Sequence, residues 1–150
     1  MNCQAGFNLM EADVVQIIVQ HRIAVAVGLP IHHLEGPTVL RYQEGEQITN
    51  HFDFVDPAIP NYSEEIRRRG ERIITFLIYL NDGFTAGETD FPEFGLRYKG
   101  RRRDGVFFVN ALPNGQPDTR TVHAGRPPVG GEKWVFSQFI RNRPVFLSCT

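Results

Sequence analysis

The sequence predicts a mainly β, α+β domain: an N-terminal helix followed by a sandwich or barrel of short strands. Three observations lead there. Helical recurrence of apolar residues is confined to the stretch that ends at Gly28-Leu29-Pro30. After Pro37, segments rich in β-branched and aromatic residues alternate with turn clusters. Those segments are short and evenly spaced, as in a sandwich or barrel. The 150 residues suffice for one domain with a sizeable core, and no repeat or low-complexity tract divides them.

The helix is expected over about residues 9–28. Asn8 is placed to cap it, with Glu11 three positions on, as in a capping box. Val14, Ile17, Ile18, Ala24 and Val25 recur at helical spacing and form the face expected against a sheet. Gly28 suits the C-terminal cap, and Pro30 cannot continue the helix. Strands are expected near Thr38–Tyr42, Ile48–Phe54, Arg72–Leu80, Gly105–Val109, Thr119–His123 and Lys133–Arg141. Between them, Glu44-Gly45, Asn81-Asp82-Gly83, Pro113-Asn114-Gly115 and the stretch from Pro127 to Gly131 read as turns. Residues Asp56 to Gly70 read as a long loop ending in Arg67-Arg68-Arg69. A second basic cluster, Arg97, Lys99, Arg101, Arg102 and Arg103, reads as a solvated strand edge guarded by charge.

Composition excludes several classes of function. With 41% apolar and 22% charged residues, the chain has the make-up of an ordinary soluble domain. A net charge of −1 creates no global field toward nucleic acid or an anionic membrane, so neither is an expected partner. Gln16, Gln20, His21 and Arg22 interrupt the apolar stretch from Val14 to Val27, which is too short to cross a bilayer. No basic-then-apolar leader pattern opens the chain. Cys3 and Cys149 read as free thiols of a cytoplasmic protein, with a single staple between them as the alternative.

Four residues carry the chemistry. His51 and Asp53 lie two positions apart on an expected strand, so both side chains share one face. His123 ends another expected strand and can close a triad from a facing sheet. Two imidazoles and a carboxylate with open positions favour non-haem Fe(II), although Zn(II) accepts the same donors. Lys133 shares one strand face with Val135, Ser137 and Phe139. An inward lysine needs a counter-charge, which the far carboxylate of a dicarboxylic cosubstrate would provide. The alternative is an exposed edge lysine, with Trp134 and Phe136 facing the core instead. His21, His32 and His33 read as structural or solvent-facing.

These residues sit in stretches that resemble the prolyl 4-hydroxylase-like branch of the 2-oxoglutarate- and Fe(II)-dependent dioxygenases. The similar stretches are Val39-Leu40-Arg41-Tyr42, His51-Phe52-Asp53, Arg72 to Asn81, Gly87-Glu88-Thr89-Asp90-Phe91-Pro92, His123-Ala124-Gly125 and Gly131-Glu132-Lys133-Trp134. The resemblance implies a double-stranded β-helix (jelly-roll) core over about residues 36–143, with the N-terminal helix packed on one sheet. It implies that His51, Asp53 and His123 bind Fe(II), that Lys133 binds the distal carboxylate of 2-oxoglutarate, that the Thr75 hydroxyl joins it there, and that Tyr42 lines the cosubstrate pocket. It further implies dioxygen as co-reactant, ascorbate as accessory reductant, and hydroxylation of a prolyl residue in a peptide or protein. No acid–base residue of the chain is required. A free amino acid or other small molecule is the alternative substrate. A Zn(II) jelly-roll enzyme and a non-catalytic metal-binding module are the alternatives from other classes.

The chain departs from the family's pattern in four places. The region before Gly36 is short. Ala86 stands where relatives carry the first of two glycines. Phe139 stands where many carry tryptophan. The loop from Asp56 to Gly70 is compact.

Overall fold

The computed structural model describes residues 3–6, 13–56 and 59–145, with side chains from residue 13 onward. Its helices are α1 (Val14–Val27) and α2 (Tyr62–Arg69). Its strands are β1 (Cys3–Gly6), β2 (Thr38–Tyr42), β3 (Ile48–His51), β4 (Arg72–Tyr79), β5 (Thr85–Ala86), β6 (Thr89–Phe91), β7 (Leu96–Tyr98), β8 (Gly105–Val109), β9 (His123–Gly125), β10 (Pro128–Val129) and β11 (Lys133–Arg141). One antiparallel sheet runs β1-β2-β11-β4-β8 and a second runs β3-β9-β6-β7, with β10 and β5 paired separately. The two sheets face each other across a cavity, the jelly-roll arrangement expected from the sequence.

Alternation along β4 and β11 builds two cores from one sheet. Ile74, Phe136 and Ile140 point outward and bury Ile23 and Ala24 of α1, together with Leu34. On the opposite face Leu77, Tyr79 and Val135 meet Phe84 between the sheets. The helix therefore packs on the large sheet as expected, but through a different face. Val14, Ile17, Ile18 and Val25 are 71%, 49%, 49% and 70% exposed, and only Ala24 of the expected set is buried. α1 is apolar nearly all round, so periodicity does not select a face. Polar contacts help to select one: buried Gln20 donates to the Gln138 side chain (3.0 Å) and to the Glu35 carbonyl (3.3 Å). Asp13 caps the described helix by accepting from the Gln16 amide at 2.8 Å. The expected caps Asn8 and Glu11 lie outside the described residues, as do Cys149 and the side chain of Cys3.

Beneath the sheet edge, Glu35 receives the guanidinium of Arg72 on both carboxylate oxygens (2.7 and 3.0 Å) and that of Arg141 at 2.7 Å. Burial alone would raise the Glu35 pKa, but the two arginines outweigh it and hold the carboxyl below its ordinary value. Arg141 is 1% exposed and without Glu35 keeps only the Gly70 carbonyl and a 3.5 Å contact to Glu65, so removing Glu35 leaves a buried cation under-paired. Glu35→Ala is expected to cost about 3–5 kcal/mol in a urea titration.

Three strands match their expected bounds, and others differ for identifiable reasons. β3 stops at His51, and Asp53 and Phe54 sit in a bend. Residues Thr119–Thr121 form a 3₁₀ turn instead of a strand, and β9 starts at His123. The loop expected from Asp56 to Gly70 contains α2. Its Glu64 and Glu65 occupy the first turn and Arg67, Arg68 and Arg69 the last, which suits the helix dipole. A helix without an apolar stripe leaves no periodic signal. Strands β5, β6, β7 and β10, two or three residues each, are likewise too short for one. Ala86 adopts a φ of +53°, a left-handed conformation that disfavours a Cβ. Ala86→Gly is expected to stabilise by about 0.5–1 kcal/mol, because relief of about 1–2 kcal/mol exceeds the added unfolded-chain entropy. Thermal unfolding measures it.

Candidate metal centre

His51 and His123 are register partners across the β3–β9 pair, so their rings meet with centroids 4.3 Å apart. Each ring is oriented in the same way. His51 Nδ1 donates to the Thr49 carbonyl (2.8 Å), and His123 Nδ1 donates to the Thr121 carbonyl (3.0 Å), each two residues upstream. A proton held on Nδ1 leaves the Nε2 lone pair free, as a metal-ligating histidine requires. Asp53 completes the group: Oδ1 lies 3.4 Å from His51 Nε2, and Oδ2 lies 3.4 Å from His123 Nε2. One ligand atom from each of the three residues falls within 4.8 Å of the others. Two donors about 2.1 Å from a common divalent ion and about 90–110° apart would lie about 3.0–3.4 Å from each other. Both histidine–aspartate contacts meet that spacing, one through each carboxylate oxygen, and all three residues line the cavity, so the donor types and their closeness suit a first-row divalent ion.

Asp53 reaches this place by a route that strand alternation did not foresee. The chain leaves the ladder after His51 and bends, which buries Asp53 to 6% exposure. Glu71 pins the next turn by accepting from the Val55 amide at 2.7 Å. Phe52 is 42% exposed and lines the cavity, while Phe54 is buried. The two rings stack with centroids 4.7 Å apart.

Thr75 also sits differently from expectation. Its buried hydroxyl donates to Asp53 Oδ2 at 2.7 Å and accepts from Asn110 Nδ2 at 2.9 Å. Thr75 pairs with Phe139, six residues along β11 from Lys133, roughly 20 Å at about 3.3 Å per residue. It cannot share a carboxylate with Lys133, so the structure separates the two and places Thr75 behind Asp53. Asn110 escaped sequence reasoning altogether. Its only signal is a polar residue directly after the apolar run of β8.

Lys133 points inward at 1% exposure, which rules out the edge-lysine alternative. Its ammonium lies 4.7 Å from the centroid of the Tyr42 ring and 5.6 Å from that of Tyr79. Among the described residues no carboxylate comes within 4.0 Å of it. Burial pulls its pKa down to about 8, opposed only by the more distant charge of Glu88. Tyr42 leans from β2 across to Gly125, where a Cβ would stand 2.9 Å from the tyrosine hydroxyl, so only glycine admits this contact. Burial, reinforced by Tyr79 and Asp53, raises the Tyr42 pKa and keeps the phenol protonated. Lys133, Tyr42, His51, Asp53 and His123 all line one cavity of about 300 Å³. Its remaining walls include Leu40, Leu77, Thr89 and Val135, with Phe139 and Arg72 near the rim in cation–π contact at 4.0 Å.

Charges in the group are set against one another. Burial raises the Asp53 pKa, but hydrogen bonding to His51, the charge of His123 and the Thr75 hydroxyl outweigh it and keep the carboxyl ionised. Burial depresses His51, but Asp53 and the Thr49 carbonyl win and raise its pKa. For His123, more deeply buried, desolvation wins and the pKa falls. A metal ion at this group would compete with protons for the same nitrogens. Metal affinity is expected to fall with decreasing pH as His51 takes up a proton, which Co(II) titration at several pH values measures.

Elsewhere the candidates are accounted for. His21 and His32 are exposed, and His33 Nδ1 donates to the Arg141 carbonyl at 2.9 Å. In the second basic cluster Arg97 pairs with Asp90, Arg101 pairs with Asp104, and Lys99 donates to the Phe84 carbonyl.

Comparison with known proteins agrees with this geometry. Residues 37–141 match the model of the 2OG-Fe(II) oxygenase superfamily. The chain is 34% identical to probable prolyl 4-hydroxylase 9 of Arabidopsis thaliana, across 83% of this chain and 47% of that protein. It is 35% identical to the prolyl 4-hydroxylase subunit alpha-1 of Gallus gallus, across 81% of this chain and 23% of that protein. It thus spans half or less of the length of these relatives. Among solved structures, the viral collagen prolyl hydroxylase of Paramecium Bursaria Chlorella virus-1, in its 2OG complex, superposes with a TM-score of 0.70 at 28% identity. That match covers 93% of this chain and 79% of the viral protein. A prolyl hydroxylase from Trichoplax adhaerens shares the fold with a TM-score of 0.65 at 15% identity, across 94% of this chain and 63% of its own. Since the family match spans both the histidine pair and the lysine strand, this chain belongs to the 2OG-Fe(II) oxygenase superfamily.

Proposed function

We propose that this chain is a 2-oxoglutarate- and Fe(II)-dependent dioxygenase domain that hydroxylates an unactivated C–H bond of a prolyl residue in a peptide or protein. One observation carries the proposal: a His-Asp-His donor group and a buried, carboxylate-free ammonium line the same small cavity. A zinc hydrolase would not need that ammonium. A decayed binding module would have no reason to keep both the donor group and the ammonium. The prolyl assignment rests on the relatives, whose printed names are those of prolyl hydroxylases.

In this reading His51, Asp53 and His123 hold Fe(II) on one side and leave the other side open to the cavity. Fe(II), with 2-oxoglutarate and dioxygen, supplies the oxidising chemistry: one oxygen atom goes to succinate, carbon dioxide leaves, and the other oxygen atom enters the C–H bond. Lys133 places the cosubstrate by pairing its ammonium with the distal carboxylate. Tyr42 closes the pocket as a protonated phenol. Leu40, Leu77 and Val135 exclude water, and Phe52, Ile48 and Phe139 give the mouth an apolar rim suited to a pyrrolidine ring. No side chain moves a proton in the reaction.

The test is substrate-dependent succinate release over a panel of proline-containing peptides and free amino acids, with and without ascorbate. Release matched by hydroxyproline in a peptide is the expected result. Stimulation by small molecules alone would replace the peptide substrate, and no stimulation together with no Fe(II)-dependent 2-oxoglutarate binding would end the dioxygenase reading.

A further inference from the structure

Behind the ligands lies a chain of buried polar groups that the reaction itself does not require. Thr75 and Asn110 are both 0% exposed. An ionised Asp53 carboxylate has no proton to give, so the 2.7 Å contact forces the Thr75 hydroxyl to donate to Oδ2. That hydroxyl has only one hydrogen, so at its 2.9 Å contact with Asn110 it must accept. The Asn110 amide is therefore oriented with its NH₂ toward Thr75 and its Oδ1 left without a partner in the interior. Strand pairing rigidifies both ends. Thr75 lies opposite Phe108 in the β4–β8 ladder, and the Asn110 backbone continues it with bonds to Ile73 and Asp118, each 2.8 Å.

We propose that Asn110 and Thr75 form a directed hydrogen-bond chain that fixes the rotation of the Asp53 carboxylate, with Oδ2 held by Thr75 beside His123 and Oδ1 turned toward His51, which makes Thr75 a positioning residue of the centre. A carboxylate held at one rotation would present its oxygens at a fixed angle to an ion shared with His51 and His123. The inference rests on the reading of His51, Asp53 and His123 as the ligands.

The test uses Co(II) alone as probe, under anaerobic conditions, with dissociation constant and visible absorption as readouts. Thr75→Val removes the hydroxyl at nearly constant volume, and Thr75→Ser keeps it. Thr75→Val is expected to weaken Co(II) binding roughly 10- to 100-fold, the range for loss of a partner behind a ligand. It should also alter the ligand-field bands, while Thr75→Ser restores both affinity and spectrum. A purely structural threonine would change the melting temperature and leave the Co(II) spectrum unmoved. A folded Thr75→Val protein with wild-type affinity and spectrum overturns the proposal. If Thr75→Val does not fold, Asn110→Leu breaks the chain from its other end and is judged by the same two readouts. Failure of the wild-type protein to bind Co(II) would instead overturn the ligand reading beneath it.

Discussion

Under the proposed function, Asp53→Ala and Asp53→Asn are both expected to reduce substrate-dependent succinate release to background. Asp53 supplies the only anionic donor of the triad and faces both imidazoles at 3.4 Å, so its loss removes both a ligand and the charge that balances the ion. The two substitutions differ in their effect on the fold. Alanine leaves the Thr75 hydroxyl without its acceptor in the interior, at a cost of about 1–3 kcal/mol. Asparagine retains an acceptor oxygen and the volume, so its unfolding curve should stay close to wild type. Activity and urea unfolding measured on the same preparations separate the two effects. Turnover at wild-type rate in a folded Asp53→Asn protein would rule out the metal assignment.

Lys133→Met is expected to raise the KM for 2-oxoglutarate roughly 10- to 100-fold, the range for one hydrogen-bonded ionic partner. Without cosubstrate the same variant should be more stable than wild type at neutral pH. The sign follows from the proton count. Lys133 titrates at about 8 in the folded chain and at 10.5 in the unfolded one, so between these values the unfolded chain binds more protons. Stability therefore rises with pH across that window. Below about pH 8 the buried ammonium carries its full penalty, about 3 kcal/mol from the shift, and above 10.5 the penalty is gone. The stabilisation from Lys133→Met should be largest at pH 7 and shrink as pH rises. Cosubstrate affinity has the opposite trend: it should fall above about pH 8, where the lysine loses its charge, and binding there should take up a proton. Calorimetry in buffers of different ionisation enthalpy measures that uptake. A KM unchanged by Lys133→Met would remove Lys133 from the pocket.

Long strands and the histidine pair were legible because their signals are local. β4 and β11 run over eight and nine residues, and alternation along β11 puts Lys133, Val135, Ser137 and Phe139 on one face. His51 was found within one expected strand and His123 at the end of another. The polar helix α2 and the short strands β5, β6, β7 and β10 left no such trace, since a few residues paired across a ladder take their conformation from partners elsewhere in the chain. The face of α1 was misread for a related reason. Apolar residues surround that helix, and buried Gln20, bonded to Gln138, marks the side against the sheet.

By itself the sequence determined which chemistry is available: two imidazoles, one carboxylate and one lysine on a β scaffold with a helix at its N-terminal end. Tertiary structure decided how those groups are deployed. It bent the chain after His51 to bury Asp53, set the two histidines opposite each other by strand register, pointed Lys133 inward, and turned the Thr75 hydroxyl to Asp53. The physical reason is range. Side-chain identity and periodicity are written along the chain, whereas hydrogen-bond direction, register and burial arise only where segments distant in sequence meet.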